Sequence, residues 1–335
     1  MSTPVVFVSG FTSYIALHIV KKLLARKYKV IGSGRSQSKS QHYADIINDP
    51  NFSFVVVAQL DADDGFDEVF KQHQDITYVL HVASPLILDP KDPEKELLLP
   101  AVHGTTNIMR AAQKYGPNVK RVVITCSYAA HCSPLDHYGK PDSIITEESW
   151  STITYEQSLQ PQNAYWGSKK LAEEAAWKYV KENSPKYEVT SFAPLWCFGP
   201  QAYEAIAKES VPSTLSLVGH VLKKDNSLAQ ALLGSFSDVR DVAEGHVLTI
   251  ESKEAAGKRL MLANGRFEHC HIVDLIRKNF PQLGIPEVEV IPYDKVGAPT
   301  VDCEATKKLL KLDNLISLEQ SLVDSVNQFL ETGVY

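Results

Sequence analysis

Tyr165 and Lys169 stand four residues apart in Asn163-Ala-Tyr-Trp-Gly-Ser-Lys-Lys170, a spacing that can carry proton chemistry. On a helix, positions i and i+4 share one face, so the Lys169 ammonium can sit beneath the Tyr165 phenol and favour its ionised form. An unperturbed tyrosine titrates near ~10 and is a slow proton carrier at neutral pH, whereas a neighbouring cation moves it towards the working range. Far upstream, Val5-Val-Phe-Val-Ser-Gly10-Phe-Thr-Ser-Tyr-Ile-Ala16 reads as strand, turn and helix. Together the two segments imply hydride exchange with a nicotinamide dinucleotide. Tyr-x-x-x-Lys pairs are common on exposed helix faces, so the weight falls on the elements that position this one.

The first of these is the turn. Gly10 and Ala16 take the outer positions of a G-x-x-G-x-x-[GA] pattern, and Ser13 the middle one. Glycine suits such a turn because the backbone bends tightly and approaches the pyrophosphate, whose charge rests on the helix N-terminus. Gly10, Thr12, Ser13, Tyr14 and Ile15 are the candidate contacts. Ser13 departs from the pattern: its hydroxyl either serves a phosphate oxygen or its Cβ costs affinity. After the second strand the chain reads Gly32-Ser-Gly-Arg35-Ser-Gln-Ser-Lys39, without the carboxylate that would hold an NAD ribose 2′-OH. Arg35 can stack on adenine and meet a 2′-phosphate, with Lys39 as a second charge, so NADPH/NADP+ is expected over NADH.

The runs Val5–Val8, Lys29–Gly32, Phe54–Val57, Tyr78–Val82, Arg121–Thr125 and Val189–Ala193 alternate with helical patterns at Tyr14–Arg26, Leu97–Lys114 and Ala164–Glu182. That rhythm predicts an α/β fold with a doubly wound parallel sheet of the Rossmann kind. Beyond Gly199-Pro200 helical patterns dominate, with short strands expected at Arg259–Leu262 and Glu287–Ile291. The chain therefore divides into a dinucleotide-binding domain over 1–200, with part of 230–265 returning to it, and a smaller, mainly helical substrate lobe over 201–335. The 335 residues are 44% hydrophobic and 22% charged with net charge −6, which argues against nucleic acid as a partner. No apolar run reaches the ~20 residues of a membrane span, and the start passes straight into a strand with no room for a signal peptide. Cys126, Cys132, Cys197, Cys270 and Cys303 form no C-x-x-C pair, as expected for reduced thiols in the cytoplasm. His269-Cys270-His271 lacks further ligands nearby, so no metal is expected. The protein is read as a monomer or homodimer.

Several motifs then occur in one order: Val8-Ser-Gly10, Val30-Ile-Gly-Ser-Gly-Arg35-Ser-Gln, His81-Val-Ala83-Ser84-Pro85, Arg121-Val-Val-Ile-Thr-Cys-Ser127-Tyr-Ala-Ala130, Tyr165-Trp-Gly-Ser-Lys169, Pro194-Leu-Trp-Cys-Phe-Gly199-Pro200-Gln201 and Asp238-Val-Arg-Asp-Val-Ala243. Through them the chain resembles the extended short-chain dehydrogenase/reductases nearly end to end. Within that group it is similar to the yeast NADPH-dependent methylglyoxal/isovaleraldehyde (carbonyl) reductases, relatives of plant dihydroflavonol and cinnamoyl-CoA reductases. The resemblance implies Ser127, Tyr165 and Lys169 as the catalytic set. It implies Ala83, Ser84 and Pro85 on the ribose side, Pro194, Leu195 and Cys197 beside the nicotinamide carboxamide, and Gln59 and Leu60 flanking adenine. Gln59 stands where the family usually has aspartate, and His103-Gly104 where many relatives have Asn-Gly. Cys126 replaces a commoner serine and is expected to be an inert core residue. Asp238-Val-Arg-Asp241 is expected to tie the lobe to the main domain.

By the same resemblance Leu86, Tyr128, Cys132, Trp166, Leu195 and Trp196 line the substrate pocket. No cation falls among them to clamp an acid, which implies reduction of an uncharged aldehyde, α-dicarbonyl or bulky ketone to an alcohol. Leu86 and Cys132 are smaller than the phenylalanines of relatives and leave room for larger ketones. The rivals are a hydroxysteroid dehydrogenase, a nucleotide-sugar epimerase, or a non-catalytic NADPH-binding protein. Arg35 speaks against the NAD-retaining epimerase, and an intact Ser127, Tyr165 and Lys169 against lost chemistry.

Overall fold

Period-two alternation in the first strand sends Val6 and Val8 to one core and Val5 and Phe7 to another, so both faces of this strand are apolar and must be covered. The computed structural model describes residues 3–87, 89–140, 142–223 and 232–335. Residues 224–231, inside the segment assigned to the substrate lobe, lie outside them. The strands are β1 (Val5–Ser9), β2 (Lys29–Gly34), β3 (Phe52–Val56), β4 (Ile76–His81), β5 (Arg121–Thr125), β6 (Ile144–Ile145), β7 (Glu188–Pro194), β8 (Trp196–Phe198), β9 (Leu233–Asp238), β10 (Arg259–Leu262), β11 (Arg266–Glu268) and β12 (Thr300–Val301).

Seven of them form one sheet in the order β3-β2-β1-β4-β5-β7-β10, every neighbouring pair parallel. Helices Tyr14–Ala25 and Val239–Glu251 cover one face, through Leu17, Val20, Val242 and Val247. Helices Leu99–Tyr115 and Pro161–Asn183 cover the other, through Ile108, Met109, Ala112 and Ala176. The strand order reverses between β1 and β4, so the carboxyl ends of these strands open a crevice, the usual ligand position of such sheets.

The sequence predicts six strands for this sheet and the seventh is β10, reached only after helix Val239–Glu251. Glu287–Ile291 forms no strand. Pro286 and Pro292 bracket it without donors, and although Val288 packs against a buried cluster, Val290 is 40% exposed and the segment has no sheet edge to join. A smaller sheet places β9 between β8, parallel, and β11, antiparallel. Its core, with Phe236, Phe267, Ile272, Leu322 and Phe329, is separate from the two flanking the main sheet.

Asp238, fully buried at the end of β9, accepts from the Arg240 Nε at 2.8 Å and from Ser321 Oγ at 2.7 Å. Arg240 reaches on to Asp324 at 2.6 Å, and Asp241 accepts from the Ile316 N–H at 2.7 Å. These bonds bind the C-terminal helix Leu318–Thr332 to the end of β9. Among the described residues no helix is long and apolar enough to cross a membrane.

Candidate active site

Ser127 follows β5 in an extended conformation and caps the short 3-10 turn Tyr128–Ala130. Tyr165 sits in the first turns of helix Pro161–Asn183, which begins on a proline whose missing N–H costs nothing there. The Tyr165 hydroxyl donates to Ser127 Oγ at 3.3 Å, and the Ala129 N–H donates to the same oxygen at 3.2 Å. With both acceptor positions in use, the Ser127 proton is left to donate. The Lys169 ammonium lies 5.8 Å from the Tyr165 ring centroid and makes no hydrogen bond or ion pair among the described residues.

The electrostatics depart from the sequence expectation. Burial pushes the Tyr165 phenol up to about 12; the bond to Ser127 pulls it down, and the nearby Cys126 and Cys197 push it further up. The Lys169 ammonium is itself pushed down by burial, because taking a charge out of water is costly. Tyr165 is thus a neutral phenol at neutral pH, with a proton to give.

At the crevice, Gly10 has φ +67, and a Cβ there would lie 3.0 Å from Ala83 Cα. Ser9 Oγ accepts from the Val82 and Ala83 N–H groups, each at 3.0 Å, and bonds His81 Nδ1 at 2.9 Å. This holds the half-buried Ala83-Ser84-Pro85 loop against the Gly10 turn. Ser13 caps helix Tyr14–Ala25 without using its side chain, and no acid occupies the first turn. Thr12 and Ile15 are half-buried in the same turn. The Tyr14 side chain is turned away: its hydroxyl donates to the Gly199 carbonyl, and its ring packs against both a main-sheet core and the core of the smaller sheet.

Arg35 and Lys39 are exposed beyond β2. Arg35 makes no ion pair among the described residues, and the Lys39 ammonium lies 5.1 Å over the Tyr43 ring. Gln59 is exposed, while Leu60 rests on Gly104, where a Cβ would come within 1.9 Å of Leu60 Cδ1. His103 points to solvent. Pro194 ends β7, and the buried Cys197 thiol donates to the Leu195 carbonyl at 3.4 Å. A turn that a Cβ would fill, a helix start free of acid and, among the described residues, an unpaired cation beyond β2 and a free ammonium beside Tyr165 fit a phosphorylated dinucleotide.

Next to the Ser127–Tyr165 pair, Trp166 packs edge-on against Tyr128 and Tyr138, at 6.3 and 6.0 Å between centroids. Trp196 stands edge-on to Phe267 at 6.4 Å, over Gly234, where a Cβ would come within 2.7 Å of the indole. Leu195 is half-buried and Leu86, at 52% exposure, is a rim residue. Cys132 is corrected: it is fully buried, its thiol against the Tyr128 hydroxyl, so it backs the aromatic wall instead of lining it. Tyr138 gave no sequence signal, as only the fold brings its loop to Trp166.

Beneath the site lies a buried polar cluster that sequence reasoning missed. Glu173 Oε1 accepts from Ser191 Oγ at 2.6 Å, Arg259 Nε at 2.8 Å and Trp177 Nε1 at 3.2 Å. Its Oε2 accepts from Arg259 Nη2 at 3.1 Å and from the Cys126 thiol at 3.0 Å. Burial acts to raise this carboxyl, but the bond from Arg259, with His131 and Ser191, holds it at about 2. The one available signal was spacing, since Tyr165, Lys169 and Glu173 recur every fourth residue on one helix face. Cys126 is therefore hydrogen-bonded as well as buried. His271 in the His-Cys-His run accepts the Glu268 N–H on Nδ1 at 3.0 Å and meets the Ile291 carbonyl through Nε2 at 2.9 Å, both nitrogens serving the fold.

Residues 6–263 match the NAD dependent epimerase/dehydratase family. The NADPH-dependent methylglyoxal reductase GRE2 of Saccharomyces cerevisiae is 39% identical over 341 residues, spanning 97% of this chain and 98% of its own. The crystal structure of Gre2 in complex with NADPH from Candida albicans is similar at a TM-score of 0.92, with 38% identity over 98% of this chain and 99% of that one. A bifunctional dihydroflavonol 4-reductase/flavanone 4-reductase of Malus domestica is 28% identical over 285 residues, 84% of this chain and 78% of its own.

Proposed function

The chain belongs to the NAD dependent epimerase/dehydratase family, and on that premise we propose that it is an NADPH-dependent reductase of aldehydes, α-dicarbonyls or bulky ketones. The observation that carries this is the Tyr165 hydroxyl 3.3 Å from Ser127 Oγ, with Lys169 one turn further along the same helix face. The Saccharomyces cerevisiae relative is an NADPH-dependent methylglyoxal reductase and the Candida albicans Gre2 structure holds NADPH, which supports the same cofactor and reaction here. When bound, the cofactor supplies hydride from C4 of its nicotinamide. Arg35 and Lys39 would meet its 2′-phosphate, the Gly10–Ile15 turn would take the pyrophosphate, and Lys169 would hold ribose hydroxyls.

Ser127 donates its remaining proton to the carbonyl oxygen, stabilising charge where it develops. Tyr165, neutral and buried, delivers its proton to that oxygen as the alcohol forms. Trp166, Tyr128, Leu195 and Trp196 exclude water and seat the apolar substituent. The pocket side chains named here carry no charge, so an uncharged carbonyl compound is the fitting substrate class and a sugar diphosphate is not.

The test is purified protein mixed with NADPH and methylglyoxal, or with an aryl ketone, while loss of the reduced-cofactor absorbance is followed. Oxidation of NADPH dependent on the carbonyl compound, with NADH at least about tenfold less effective, is expected. Absence of oxidation with every carbonyl tried would reject the reading.

A further inference from the structure

We propose that Cys126 is a positioning residue for this reaction: its thiol, donating to the Glu173 carboxylate, fixes Ser127 against the helix that carries Tyr165. The proposal rests on the reductase reading, in which Ser127 Oγ meets the carbonyl oxygen.

Cys126 lies between the end of β5 and Ser127, and its two ends are tied in different directions. The backbone N–H donates to the Phe192 carbonyl on β7 at 2.8 Å. The side chain crosses to the Tyr165 helix, 3.0 Å from Glu173 Oε2 and 3.8 Å from the Lys169 carbonyl. Glu173 is a rigid anchor, fully buried with Arg259, Ser191 and Trp177 on its oxygens. Arg259 is fixed in turn: Nη1 donates to the Glu147 and Ser149 carbonyls at 2.9 and 2.6 Å, and the guanidinium stacks 3.7 Å over Trp150. Burial, with the facing Glu173 charge, holds Cys126 as a protonated thiol, the form that can donate.

The contacts close a ring, from Ser127 through Cys126 and Glu173 along two turns of helix to Tyr165, and back through the 3.3 Å bond to Ser127. Opening that ring at the thiol frees Ser127 to slide relative to Tyr165, and misplacement of about 1 Å at a reacting group can cost ~10²-fold in rate. Alanine at 126 removes the donor and leaves the Glu173–Arg259 pair intact, whereas serine keeps a donor of similar reach.

The experiment compares wild type, Cys126→Ala and Cys126→Ser, full chain, with NADPH and methylglyoxal. Cys126→Ala is expected to lower kcat about tenfold with the KM for NADPH within about twofold. It should also enlarge the primary isotope effect from C4-deuterated NADPH and speed amide exchange over residues 126–132. Cys126→Ser should restore all of these. The idea is overturned if the alanine variant keeps wild-type kcat and exchange, if serine fails as badly as alanine, or if NADPH affinity falls in step with kcat. A wild type that never oxidises NADPH defeats the reductase reading instead, and the amide-exchange comparison then decides the positioning claim by itself.

Discussion

Burial raises the Tyr165 phenol and so sets its proton chemistry. Its phenol is held at about 12, so it enters the reaction protonated and acts as the acid in the direction of carbonyl reduction. For Tyr165→Phe we expect kcat to fall by ~10²–10⁴-fold with NADPH binding unchanged by fluorescence titration; turnover near wild type would remove the phenol from the mechanism. The Tyr165–Lys169 pair was legible because four-residue spacing on a helix is local information. Ser127 was legible only through resemblance, since it follows β5, far in sequence from the helix that carries Tyr165. Glu173 and Arg259 were not legible as partners, because only packing of β7 and β10 beside the helix brings them together.

At the scale of elements, the strand-turn-helix at the N-terminus depends on one residue with no Cβ. Gly10→Ala would place a methyl group at φ +67 and 3.0 Å from Ala83, straining the turn by about 1–3 kcal/mol and pushing the Ala83–Pro85 loop off the crevice. NADPH affinity is expected to drop at least ~10-fold along with a lower melting temperature; calorimetric titration that gives wild-type affinity would contradict this. Elements with strong period-two or helical patterning were read to within a few residues. Glu287–Ile291 was misread because a β-branched run between prolines has strand composition but no partner edge. β10, by contrast, becomes the seventh strand because β7 offers it one.

For the molecule as a whole, acid stability follows from what the fold buries. Burial pushes His18, His131 and His246 from the ordinary 6.5 to about 4 each, and burial with the Lys169 charge pushes His81 to about 3. The unfolded chain binds these protons near 6.5 and the folded chain refuses them, so stability is whole above 6.5 and is lost as pH falls towards 4. Glu173, held at about 2 against an ordinary 4.5, extends the loss below 4.5. The melting temperature should therefore decline steadily on acidification from neutrality, and a flat profile down to about 4 in scanning calorimetry would refute this account. Sequence by itself determined the alternation of strands and helices, the glycine turn, the cations beyond β2 and the Tyr-Lys spacing, because each is written in neighbouring residues through backbone geometry and periodicity. Tertiary structure alone decided the protonation of Tyr165, the aromatic wall completed by Tyr138, and the carboxylate beneath Ser127, because burial and long-range contact exist only once distant segments share a core.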